Sequence, residues 1–275
     1  MNKRCIWTIM KKDWKEVRQN TGAWVPAIVV PIIFLVIYPA LMILIPTQVQ
    51  AVKDWLNSPN GYAKIIEYVE PFIGGRLDGF SPVRGFVVLL TGYMFAPFLL
   101  IMPLMLSTII GAESFVGERE RKTLEALIYT PAKDSELFLG KVLASVVPAV
   151  LFSWLSFLVY AVVVNAASWP AMRWIWFPPV IWWPLMLWLA PAIATLGMAA
   201  SVLISIRAKT FMEAYQLTGS LVVVVLLLVA GQVSGVLFLS PAVILLLGLG
   251  VWLLDFILIR IGIRTFSRPA LLSRI

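Results

Sequence analysis

Long apolar runs separated by short polar segments organise this chain. A bilayer-crossing helix takes roughly 20 mostly apolar residues, and six runs meet that length: residues 23–45, 85–110, 142–164, 176–206, 214–237 and 241–259. The first five contain no Asp, Glu, Lys or Arg, and the sixth holds only Asp255. Prolines inside the runs, such as Pro39, Pro97 and Pro191, are tolerated where neighbouring helices satisfy the freed carbonyls. The pattern predicts an all-α integral membrane protein, one transmembrane domain over residues 1–275 with six spanning helices. The first run follows 22 mixed residues and is too long for the apolar part of a signal peptide.

The segments between the runs have patterns of their own. In residues 1–22, Trp7, Met10, Trp14 and Val17 recur at helical spacing, with Lys3, Lys11, Lys15 and Arg18 off that stripe. This predicts an amphipathic helix lying in the headgroup layer. Residues 46–84 form a second polar segment, whose apolar positions predict short helices broken at Pro59–Gly61. Residues 111–141 carry a dense charged island, and residues 260–275 form a basic tail.

Charge settles the expected orientation. Of the 22 Lys and Arg, 17 fall in the segments sharing a side with the N-terminus and five on the other. The positive-inside rule then places both termini in the cytoplasm. That placement accounts for the net charge of +8 without nucleic acid. Four tryptophans in "MRWIWFPPVIWW", residues 172–183, agree as an aromatic belt at the outer surface. The mean hydropathy of +0.93 fits the membrane class. With no histidine and a single cysteine, Cys5, neither a His/Cys metal site nor histidine catalysis is expected.

The island, "GERERKTLEALIYTP", predicts a short amphipathic helix stopped by Pro131. Leu124, Leu127 and Ile128 share one face. Glu118 with Lys122, and Arg121 with Glu125, are i,i+4 pairs. The apolar stripe needs a surface, whether membrane, the chain's own inner face or a partner protein. A polar face of mixed sign and zero net charge favours a protein socket over anionic lipid.

Glu113, Glu118, Arg119, Glu120, Thr123, Leu124, Glu125, Leu127, Ile128, Pro131 and the pair Gly140–Lys141 together resemble the signature of type-2 ABC transporter permeases. The resemblance extends to the N-terminal amphipathic helix and the six-run layout. It implies a coupling helix between the second and third spans, formed by Glu118, Arg119, Glu120, Arg121, Thr123, Leu124, Glu125, Leu127 and Ile128. That helix would dock in a separate ATPase subunit, present in two copies and supplying ATP and Mg2+. The permease would pair with itself or a similar permease in a plasma membrane, as in a prokaryotic inner membrane. No phosphate-binding loop is present in this chain. The Gly140–Lys141 pair has Ser135 where the first glycine belongs and Val142 where Ser or Thr belongs, which leaves Lys141 as an interfacial lysine. This chain is therefore expected to have no catalytic, cofactor or metal site of its own.

By the same resemblance the second and fifth spans would line the interface and the path. Candidate path residues are Tyr93, Phe95, Phe98, Met102 and Met105 in the second, and Gln216, Ser220 and Gln232 in the fifth. Their other reading is core filling. Asp255 is within a turn or so of Arg260 and is expected to pair with it or with headgroups. The function expected is ATP-driven transport, by export. The alternative is an ion- or proton-coupled secondary transporter, weakened by the scarcity of ionisable residues at membrane depth.

Overall fold

The structure is a computed structural model. It describes residues 7, 8, 10–12, 15, 28–120, 134–205, 207, 208, 210–234 and 238–265. Among these residues every regular element is helical, and six helices are long and apolar enough to cross a membrane. They are Ile28–Gln48, Pro82–Gly117, Glu136–Met172, Trp182–Ile204, Phe211–Val233 and Pro241–Ile263, called the first to sixth spans. Alternation of direction brings Lys12, Glu118, Lys141 and Thr210 to one end of the bundle, the charged end. Trp174, Ser234 and two short helices, Gln50–Asn57 and Tyr62–Ile73, lie at the other, the tryptophan end.

The second span is the axis of the fold. It and the fourth span are mostly buried, whereas the first, fifth and sixth present most of their surface outward. Apolar surface outward is the arrangement that lipid favours. Close approach of the second and fourth spans depends on small residues: a Cβ on Gly197 would meet the Ser107 hydroxyl at 2.3 Å, and one on Gly111 would meet Ser201 at 2.8 Å.

Proline shapes the spans locally. π-Helical stretches at Ile32–Ile37, Val88–Met94 and Leu185–Leu189 each end two or three residues before a proline, at Pro39, Pro97 and Pro191. A proline ring clashes with the carbonyl four residues back and offers it no N–H, and widening the turn relieves the clash. In the second span, the Phe95 N–H reaches back five residues to the Leu90 carbonyl at 2.9 Å. Pro97 cannot donate to Gly92, five back, or to Tyr93, four back.

Side chains from other spans supply donors at this point. The Tyr160 hydroxyl of the third span donates to the Thr91 carbonyl at 2.8 Å. Trp182 Nε1 of the fourth donates to Gly92 at 2.8 Å, and Gln232 Nε2 of the fifth donates to Tyr93 at 2.8 Å. Three consecutive carbonyls thus tie three spans to the second. Trp182 is fully buried, while Trp174 and Trp183 are exposed. Only part of the tryptophan cluster can therefore act as a belt. The fourth span also begins later than its apolar run, because residues 173–181 form a non-helical connection.

Candidate functional site

At the charged end the second span finishes in a π-helical turn, Glu113–Gly117, followed by Glu118–Glu120. Gly117 leaves room for the Glu113 carboxyl, which a Cβ would meet at 3.0 Å. Glu118 is fully buried and sits between two cations. Lys141 Nζ, also fully buried, donates to Glu118 Oε2 at 2.7 Å and to the Ser114 carbonyl at 2.6 Å. It lies 5.4 Å from the centre of the Phe115 ring. Lys12, from the N-terminal segment, donates to Glu118 Oε1.

Burial is the largest influence on the Glu118 carboxyl and by itself would raise its pKa. The Lys141 charge, with the hydrogen bond and charge of Lys12, outweighs it, so the group is held below the ordinary carboxylate range. Glu118 is therefore a carboxylate across neutral and mildly acidic pH.

Glu120 turns the other way. Its Oε2 accepts the Phe211 N–H at 2.8 Å, at the first residue of the fifth span. Thr210 caps the same helix end by accepting from the Glu213 N–H at 3.2 Å. A carboxylate there satisfies an orphan donor and complements the helix dipole. Residues two apart on a helix point roughly 200° apart. The Glu-Arg-Glu order thus lets one acid enter the interior while the other reaches the fifth span.

These contacts give the island's sequence pattern a physical basis. Glu118 and Lys141 stand at its two ends, 23 residues apart, and their ion pair closes the loop at its base. The rest of the expected coupling helix, Arg121, Thr123, Leu124, Glu125, Leu127 and Ile128, lies outside the described residues, as does the Arg119 side chain. One sequence expectation is corrected: Lys141 is an interior lysine, not an interfacial one. Glu118 has Lys12 and Lys141 as ionic partners among the described residues, and its expected helical partner Lys122 lies outside them. Sequence reasoning passed over Lys12 because it ranked the N-terminal lysines only by their place off the apolar stripe.

Toward the tryptophan end a cavity of about 340 Å³ opens between the first, second and fifth spans and the helix Tyr62–Ile73. Of the candidate path residues, Phe95, Phe98 and Gln232 line it. Phe95 is the centre of an aromatic stack, with ring centroids 5.0 Å from Tyr38, 5.1 Å from Phe98 and 5.3 Å from Tyr160. Tyr93 stands behind Gln232 as the owner of its carbonyl partner. The others lie elsewhere. Met102 is fully buried, and Met105 packs with Ile109, Val30 and Tyr215. Gln216 and Ser220 are exposed on the fifth span. Both methionines are packed among apolar neighbours in the interior, a common place for such residues.

Asp255, in the sixth span, is buried, and neither carboxylate oxygen has a hydrogen-bond partner among the described residues. Arg260 does not meet it. The guanidinium instead lies 4.7 Å from the Phe256 ring centre.

Comparison with known proteins places this arrangement. The family described as ABC-2 family transporter protein matches residues 7–252. No curated protein and no solved structure gives a significant match.

Proposed function

Because the chain belongs to the ABC-2 transporter family and is a multi-pass membrane permease of an ABC transporter, we propose that it exports a substrate using ATP hydrolysed by a separate subunit. Two permeases, identical or similar, would work with two ATPase subunits that hold the ATP and Mg2+. The charged end would face the cytoplasm, in a plasma membrane such as a prokaryotic inner membrane.

The closed base of the charged island carries this reading. Glu118 joins it to the third span through Lys141 and to the N-terminal segment through Lys12. Glu120 joins it to the start of the fifth span. A helix hung from this base transmits a push to several spans at once, as a coupling element between motor and membrane must. Leu124, Leu127 and Ile128 are the proposed anchors in the ATPase, with Arg119, Arg121, Thr123 and Glu125 on the flanking surface. Phe95, Phe98 and Gln232 mark the proposed path.

The test is the double substitution Leu124→Ala, Leu127→Ala. Losing one buried apolar anchor costs about 2 kcal/mol or more at an interface. The double variant should insert normally yet release its ATPase on purification, or hydrolyse ATP without transport. Wild-type association together with wild-type transport would exclude the island as the coupling element.

A further inference from the structure

The helix Tyr62–Ile73 forms the wall of the cavity at the tryptophan end, through Ile65, Tyr68 and Val69. We propose that this helix is an outer gate on the path, and that the fifth span links it to the charged island at the opposite end of the bundle. The proposal deepens the permease reading above and rests on it for the link to ATP.

The hold of the helix on the spans is almost wholly apolar. Val69 and Ile73 are buried in the core, with Ile65 and Ile66 packed against it, while Lys64, Glu67 and Glu70 are exposed. Among the described residues a single hydrogen bond joins the helix to a span: the Tyr68 hydroxyl donates to the Ser234 carbonyl. Ser234 caps the C-terminal end of the fifth span, where carbonyls lack partners within the helix. The bond is exposed, so water can replace it at small cost when the helix lifts. Freedom for that movement lies just past the helix. Gly74 ends it at φ 59° and Gly79 follows at φ 82°, both in the left-handed region that favours glycine. A Cβ on either would meet nothing within 4 Å, so these glycines provide backbone freedom and not close packing. Hinges are commonly built this way.

The same bond brings the gate into line with the motor end. The fifth span begins at Phe211, whose N–H is held by Glu120 of the island, and ends at Ser234, which holds Tyr68. Glu120 and Tyr68 thus grip the two ends of one span. Gln232 ties the outer end of that span to the second through the Tyr93 carbonyl. The two spans therefore move together, and the gate is the part left behind. A displacement of the fifth span along its axis draws the Ser234 carbonyl away from the Tyr68 hydroxyl. Coupling through such a chain of contacts needs an element with two arrangements, and the gate, latched or lifted, is that element.

The test reads how quickly a thiol in the cavity meets water. Met94 lines the cavity from the second span and belongs to neither the gate nor the fifth span. Met94→Cys is combined with Cys5→Ser in the full chain in lipid nanodiscs. The probe is 2-sulfonatoethyl methanethiosulfonate, whose charge keeps it out of hydrocarbon. Labelling should be slow beside that of a cysteine at the exposed Asn60. Tyr68→Phe, which removes only the latch hydroxyl, should speed labelling at Met94 roughly 2- to 10-fold, the range of one neutral hydrogen bond, and leave the Asn60 position unchanged. Leu90→Cys, on the same wall, repeats the comparison with a second thiol. Wild-type labelling in the cavity as fast as at Asn60, or rates that ignore Tyr68→Phe, would overturn the gate.

In the complex with its copurifying ATPase, trapping the nucleotide with vanadate should raise the Met94→Cys rate. Glu120→Ala should cancel that rise and leave the effect of Tyr68→Phe intact. A rise that survives Glu120→Ala would remove the fifth span from the link. If Tyr68→Phe speeds labelling but no ATPase binds the chain, the gate stands and the permease reading falls. If ATP-driven transport proceeds while labelling ignores Tyr68→Phe, the gate falls and the permease reading stands.

Discussion

Lys141 is a charge without exposed surface, and its cost is set by what it touches. Removing one member of a buried ion pair leaves the other uncompensated, at about 3–5 kcal/mol, whereas replacing both is often nearly neutral. Lys141→Met is expected to lower the unfolding midpoint of the purified protein sharply. Adding Glu118→Gln should restore most of it, and no restoration would mean that the pair's electrostatics are not what Lys141 supplies. Because Glu118 titrates below its ordinary range, its stabilisation is complete above the unfolded-state pKa and is lost only as pH falls through the lowered folded-state value. The midpoint should therefore not respond to this group between neutral and mildly acidic pH. Asp255 makes the opposite case, a buried acid whose oxygens have no hydrogen-bond partner among the described residues. Asp255→Asn is expected to leave the midpoint unchanged or raise it, and a marked fall would reveal a partner for the carboxylate. Neither residue's surroundings were legible in the sequence. Local spacing offered Arg260 to Asp255, and the pairing of Glu118 across 23 or 106 residues leaves no periodic trace.

Spans are legible because their signal is local: apolar length alone marks each one, and the matching of residues 7–252 by one family agrees with the signature read in the island. The interior of the second span was not. Pro97 announces a break, but nothing in its neighbourhood names Tyr160, Trp182 and Gln232 as the donors that gather around it. Gln232 was legible only as a rare polar residue in an apolar run. Its bond to Tyr93 exists because Pro97 withholds an N–H, and that dependence can be measured. Gln232→Leu should cost about 1–3 kcal/mol by orphaning a buried carbonyl. In a Pro97→Ala background, where the replaced residue regains a backbone N–H four positions beyond Tyr93, the same substitution should cost less. Equal costs in both backgrounds, from unfolding midpoints in a double-mutant cycle, would show that Gln232 acts by packing alone.

At the scale of the whole molecule, the sequence's bias of 17 basic residues to five predicts that the charged end faces the cytoplasm. Orientation can be read with an impermeant thiol reagent. Cys5 should be labelled in inverted vesicles and protected in intact cells, and a cysteine at Ser58 should show the reverse. Labelling of Cys5 from outside would invert the assignment. The row of bonded carbonyls has a further consequence, for synthesis. Thr91, Gly92 and Tyr93 leave the ribosome 69, 90 and 139 residues ahead of the donors that meet them. An unpaired carbonyl facing hydrocarbon costs several kcal/mol, so the second span is ill suited to release into lipid alone. The nascent chain should linger beside the insertion machinery, its carbonyls met in chain order by Tyr160, then Trp182, then Gln232. Ribosome-bound chains halted before Gln232 has emerged should still crosslink from the second span to the insertase, and longer ones should not.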